Sequence, residues 1–231
     1  MSTSRLPRRG ARQARSYHHG DLRNALIGAT LELIPRTGVR ELSLREVARR
    51  AGVSHGAAYR HFQDKESLLA AVAEQGFIEL ALALRTAAQS SDGDPIAQLQ
   101  AAGVAYVEFG IRHPQHLQVM FGGAIAHFED HPALKLAASS ARDELRAVVT
   151  RIVGATTARG VTEEVVGAAS WAIVHGLTVL LAEGRLHGPE GKSLSQPSQL
   201  SLAAAVTGLF CNGLAQSTGL AEQPPVNKRT P

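Results

Sequence analysis

His55, Tyr59, Arg60, His61 and Lys65 bring two imidazoles, a phenol, a guanidinium and an ammonium into eleven consecutive residues. These are hydrogen-bond donors and cations, whose partners include anions and hydrogen-bond acceptors. Phosphate oxygens and base edges supply both: Arg can donate bidentately to guanine, and cationic or hydroxyl groups meet the backbone. Gly56, Ala57 and Ala58 lie between them and keep the segment slim enough to enter a groove. For Tyr59 and His61 a second reading stays open, since both can pack between helices. Phe62 is assigned to the core.

Such groups must be held by short, well-capped helices. Ser43 and Glu46 have the Ser-x-x-Glu spacing of a capping box, in which each side chain satisfies a free backbone N–H of the first turn. Leu44, Val47 and Ala48 then share one face. Gly52 supplies the positive φ that ends the helix, and Val53 plugs the turn. Ser54 caps a second helix reaching about Phe62, and Asp64 caps a third that begins near Lys65. Helix, tight turn and helix form the motif whose second helix fits the DNA major groove. A plain αα-corner shows the same spacing, but a buried corner has little use for so many cationic groups.

The stretch from Leu22 to Leu69 resembles the DNA-binding domain of TetR-type transcriptional regulators. Gly38, Leu44, Val47, Ala48, Ala51, Gly52, Val53, Tyr59, His61, Phe62, Lys65 and Leu68 carry the likeness, and the Y-x-H-F-x-x-K run from Tyr59 to Lys65 is its most specific part. The resemblance implies a recognition helix from Ser54 to Phe62, with His55, Gly56, Ala57 and Tyr59 facing base edges. It implies phosphate contacts from Tyr59, His61 and Lys65. Arg60 can bind guanine, while Ser43 and Arg45 would meet the backbone from the other side, where helix N-termini favour phosphate. Pro35 departs from the pattern and is expected to kink or end the first helix, because proline cannot bond to the carbonyl of Leu31.

Charge agrees with this division. Of 231 residues, 1–66 hold 13 Lys/Arg against 6 Asp/Glu, a balance of +7, and 67–231 hold 11 against 14, a balance of −3. A basic half beside an acidic half is the footprint of a nucleic-acid binder with an appended domain. Hydrophobic residues make up 44% and aromatics only 4%, so a core of Leu, Val, Ile and Ala is expected. Few β-branched runs point to an all-α protein. The lone Cys211 excludes an internal disulfide framework and suits a reducing cytoplasm.

The chain is expected to divide into four parts. Residues 1–17, with Arg5, Arg8, Arg9, Arg12 and Arg15, read as a flexible basic arm, either a solubilising tail or a DNA arm. Residues 18–66 form the three-helix helix-turn-helix domain, and 67–218 a helical effector-binding and dimerisation domain. Residues 219–231 read as a disordered tail. Periodicity predicts helices from Lys65 to about Ala88 and from Ile96 to Arg112, then a short one to Phe121. A further helix holds Leu134 to Ile152 and ends near Gly160, and two last helices hold Val165–Leu181 and Leu202–Leu214. The apolar run Val165–Ala182 contains Ser170, His175 and Thr178 and is read as a buried helix, with no membrane span and no secretory signal expected.

Trp171-Ala-Ile-Val-His175-Gly176 resembles the Trp-(x)n-His-Gly stretch of one C-terminal-domain type in the same family. That resemblance implies pairing of the last two helices with those of a second subunit, Gly176 and Gly213 allowing close crossing; an intramolecular pair is the other reading. It also implies a small-molecule pocket, for which Phe109, Met120, Phe121, Trp171 and His175 are wall candidates, each also readable as ordinary core. His127 and His131 have i,i+4 spacing, but Pro132 interrupts the helix they would need, and no metal or cofactor is expected. G-x-S-x-G, H-E-x-x-H, P-loop and G-x-G-x-x-G motifs are all absent, so no catalytic residue is assigned. The expectation is a cytoplasmic, homodimeric, DNA-binding regulator, a repressor released from a palindromic operator by an effector. The alternative is a constitutive DNA-binding dimer without one.

Overall fold

The computed structural model describes residues 19–220 apart from positions 92, 157, 159, 189 and 190. The basic arm expected over 1–17 and most of the expected tail lie outside the described residues. Among those described the chain is all-α, with one isolated bridge between His187 and Ser193.

Three helices make the N-terminal unit: α1 (His19–Glu41), α2 (Leu44–Arg50) and α3 (His55–Tyr59). The expected break at Pro35 falls instead at Gly38, where φ 71° and ψ 161° leave the helical region. Pro35 is exposed, and the helix carries on past it. Gly38 lacks the Cβ that would penalise positive φ, and it turns the chain so that Val39 and Leu42 enter the core. Leu26, Val47, Ala58, Phe62 and Leu68 complete that core, all at most 4% exposed.

The helix leaving this unit, α4 (Lys65–Gln89), runs unbroken for 25 residues into the rest of the molecule. Asp64 caps it by accepting from the Ser67 backbone N–H at 2.7 Å, while the Ser67 hydroxyl answers the Asp64 N–H at 3.1 Å. The capping box expected at Ser43 is only half made: Ser43 accepts from Glu46 N–H at 3.2 Å, but the Glu46 carboxylate turns to Arg49. The full reciprocal box belongs to α4, and a cap of this kind contributes about 1 kcal/mol.

Against α4 pack α5 (Pro95–Arg112), α6 (Pro114–Phe121) and α7 (Pro132–Gly154), with a 3-10 turn at Phe128–Asp130 before α7. The outer layer is α8 (Glu163–Ala182) and α9 (Gln196–Thr218), both resting mainly on α5 and only lightly on each other. Gly176 and Gly213, expected to allow crossing with a second subunit, face open space within the protomer, where a Cβ would meet nothing within 4 Å. Close approach inside the protomer uses Gly103 and Gly110 on α5, where a Cβ would lie 2.9 Å from Thr207 and 2.1 Å from Thr178. Two residues of the expected tail are among those described, and both belong to the fold. Gly219 is the left-handed cap of α9, and Leu220 packs on the cluster of Leu99, Val148, Ile152 and Cys211.

Candidate nucleic-acid interface and apolar cavity

The turn between α2 and α3 is built by backbone chemistry. Gly52 takes φ 72°, and the Val53 N–H donates to the Ala48 carbonyl at 3.0 Å. Ser54 then caps α3 by accepting from Ala57 N–H at 3.2 Å. The α3 helix is shorter than the sequence suggests: Arg60 is its C-cap and His61 and Phe62 follow in a turn.

Most of the expected contact residues share one outer surface. Ser43, Arg45, Ser54, His55, Gly56, Tyr59 and Arg60 are exposed, and the His55 and Tyr59 rings meet edge to face with centroids 4.5 Å apart. An open groove lined by Ser43, Arg45, Arg49, Val53 and His55 joins the start of α2 to the start of α3. One residue departs from expectation. Ala57 is buried against the motif's own core, because position 57 is on the inner side of so short a helix. Lys65 donates from Nζ to the Arg40 carbonyl at 2.6 Å and so ties the start of α4 to the end of α1. His61 is half-buried. Nearby, Arg50 pairs with Glu32, and Arg23 pairs with Glu74 at 3.3 Å while lying over the Phe62 ring.

Further along α4, a cavity of about 580 Å³ opens between α4, α5, α7 and α8. Phe77, Leu80, Leu84, Tyr106, Ala141 and Val149 give it an apolar wall, and Arg142, Arg146, Glu163 and Glu164 stand at one side. Of the five expected wall residues, Phe121 and Trp171 line it. Phe109, Met120 and His175 do not. Phe109 is core beneath His113, with ring centroids 5.1 Å apart. Met120 sits against Gly76 of α4. His175 lies behind the wall, its Nδ1 3.0 Å from the Tyr106 hydroxyl and its ring 4.8 Å from that of Phe121. Burial pushes the Tyr106 phenol up to about 12 and holds the His175 imidazole below its ordinary value, so both stay neutral at pH 7. Leu80, Leu84 and Ala141 were legible only as core, because a cavity lining and a core have the same apolar signature.

Cys211 is buried and its thiol is pushed up to about 11 by burial first and by Asp94 second, which leaves it no thiolate character at neutral pH. Glu66, in the first turn of α4, accepts from the His127 backbone N–H at 2.6 Å and has the His127 ring 3.3 Å from its other oxygen. His131 stands 3.9 Å away. The two histidines thus converge on a carboxylate from either end of a 3-10 turn, not from one helical face.

A capped helix-turn-helix with a basic outer surface, joined by one continuous helix to a larger helical unit, defines a DNA-binding transcriptional regulator. Residues 26–72 match the family model described as bacterial regulatory proteins, tetR family, and residues 99–205 match tetracyclin repressor-like, C-terminal domain. The chain belongs to the TetR family of transcriptional regulators. Over 80 residues it is 38% identical to the HTH-type transcriptional regulator BetI of Serratia proteamaculans, an alignment spanning 34% of this chain and 40% of the relative. The chain therefore covers well under half the length of that curated relative. Among solved structures, a protein of unknown function from Rhodococcus sp. RHA1 is 32% identical, with TM-score 0.71, over 88% of this chain and 100% of that one. The TetR family regulator PfmR of Thermus thermophilus shares the fold at 20% identity, with TM-score 0.63, over 81% and 97% of the two chains. A similar likeness, at 17% identity and TM-score 0.62 over 81% and 97%, links it to AibR, solved with isovaleryl coenzyme A and operator DNA.

Proposed function

We propose that this protein is a homodimeric repressor that leaves a palindromic operator when a small molecule enters the cavity beside α4. The observation that carries the reading is the cavity itself: Phe77, Leu80 and Leu84 of its wall belong to the helix that begins at Lys65, directly behind the recognition helix. An occupant that displaces α4 changes the separation of the two recognition helices in a dimer, and with it the fit to successive major grooves. The ligand must favour the released state by its coupling free energy, typically ~1–3 kcal/mol. The apolar wall and the Arg142, Arg146, Glu163 and Glu164 side suit a mainly apolar effector with one polar end. Such a repressor acts in the cytoplasm, where its operator is.

In this reading His55, Gly56, Tyr59 and Arg60 address bases, while Ser43, Arg45, Ser54 and His61 address phosphates. Arg45→Ala should then weaken binding to all sequences alike and lower the slope of log affinity against log salt by about one unit. Arg60→Ala should relax sequence preference instead; an equal loss on every sequence would make Arg60 a phosphate contact.

The effector role is tested by filling the cavity. Ala141 lines it and is buried. Ala141→Phe should keep operator binding while abolishing both the release and the melting-temperature rise produced by compounds that act on the wild type. If those compounds release the filled variant equally well, the cavity is not the effector site. If no compound raises the melting temperature, the chain is a constitutive DNA-binding dimer.

A further inference from the structure

We propose that Glu79, His113 and His116 form a binding site for one divalent transition-metal ion of the zinc class, bridging α4 and α6. Each offers a ligand atom, and among the described residues this is the one place where three such atoms lie within 4.8 Å of one another. They come from three separate points of the chain: the middle of α4, the joint between α5 and α6, and the first turn of α6.

Three features of the packing distinguish this convergence from a chance meeting of surface groups. His116 is 5% exposed, and its Nε2 has no hydrogen-bonding partner among the described residues. A buried imidazole nitrogen left unpaired is costly, and an apolar side chain would fill the same space without that cost. The space itself is kept open by Gly76, one turn before Glu79: a Cβ there would lie 3.1 Å from the His116 ring and 2.5 Å from the Met120 sulfur. The glycine lets α6 approach α4 closely enough to set the imidazole beside the carboxylate. Glu79 is oriented in turn, because its Oε1 accepts from the Gln75 side-chain amide at 2.9 Å, which leaves Oε2 for a ligand bond.

His113 completes the set. It precedes Pro114 and is held out of the helix at φ −127° and ψ 52°, with its ring against Phe109 and 5.7 Å from that of His116. Two neutral imidazoles and one carboxylate are the donors of three-ligand zinc sites, which keep a fourth position for water or another ligand. Bonds of roughly 2.0–2.1 Å in tetrahedral geometry set donors about 3.4 Å apart, so rotation of the half-buried Glu79 and His113 side chains closes the site. The Glu66, His127 and His131 grouping lacks these features: both Glu66 oxygens already face His127, which is exposed.

The test uses the full chain, stripped with a chelator and titrated with Co²⁺ alone, then Zn²⁺ alone. The visible d–d absorption of bound Co²⁺ reports coordination, and displacement by Zn²⁺ gives its affinity. One ion per chain is expected, with Glu79→Gln and His113→Ala each weakening binding about 10- to 100-fold. His127→Ala should bind as the wild type does. Both ligand variants change half-buried side chains, and circular dichroism without metal should be unaltered in each. Failure to bind either ion, wild-type affinity in both ligand variants, or loss of binding in His127→Ala would overturn the assignment. None of these readouts depends on DNA or on an effector.

Discussion

Leu209→Arg should turn the protein into a monomer and weaken operator binding by roughly 10²- to 10⁴-fold, the advantage lost when two linked half-site contacts become one. Leu209 is 77% exposed on α9, and Val165 and Leu180 leave exposed apolar side chains on α8. The two helices rest mainly on α5 and only lightly on each other, which leaves these side chains exposed in the protomer. Both are long and apolar enough to cross a membrane by composition, yet only 33% of the most apolar stretch of α8 and 22% of that of α9 is buried in one chain. A second copy of the same faces would bury them, with a stable interface needing about 1,000 Å² or more. A guanidinium buried in that contact must be desolvated, which opposes association. The mass of the free protein and of its DNA complex checks the result, with Leu209→Met as a dimeric control. A Leu209→Arg protein that remains dimeric would place the interface elsewhere.

Gly110→Ala is expected to destabilise the fold by about 1–3 kcal/mol through overpacking. The added Cβ would lie 2.1 Å from the Thr178 Cγ2 methyl, and Thr178 cannot swing away easily. It is fully buried, and its hydroxyl donates to the Val174 carbonyl at 2.6 Å. At roughly 2–4 °C per kcal/mol for a chain of this size, thermal unfolding should fall by several degrees. Thr178→Ser removes only the offending methyl, and the next atoms, Thr178 Cβ and Leu117 Cδ2, stand at 3.5 and 3.6 Å. Gly110→Ala with Thr178→Ser should therefore recover most of the loss. A double variant as unstable as Gly110→Ala alone would show that the α5–α8 contact is not the cause.

The motif that defines the class was legible because it is local. Ser54, Gly52 and Asp64 act on backbone groups a few residues away, so spacing carried the helix ends and turn, and the cationic side chains with the Y-x-H-F-x-x-K run carried the class. Where a choice was settled at longer range, sequence reasoning went astray. Pro35 breaks a helix only where its lost bond matters, and an exposed position tolerates it. Ser43 and Glu46 match a capping box, but Arg49 competes for the carboxylate. The tight crossings inside the protomer are made at Gly103 and Gly110, which only the mutual placement of α5, α8 and α9 reveals. His175 and Met120 read as wall because they are bulky and near Trp171 or Phe121. Which of a helix's apolar residues face a cavity depends on a rotation that periodicity does not resolve.

The central claim, a dimer reading a two-fold operator through α3, is tested most directly by selecting bound sequences from randomised duplex DNA with the purified full chain and weighing the bound species. The predicted result is a palindromic site with half-sites about one helical turn apart, occupied by dimers. Weak binding without sequence preference would contradict it, and would reduce the basic surface around Arg45 and Arg60 to a generic phosphate patch.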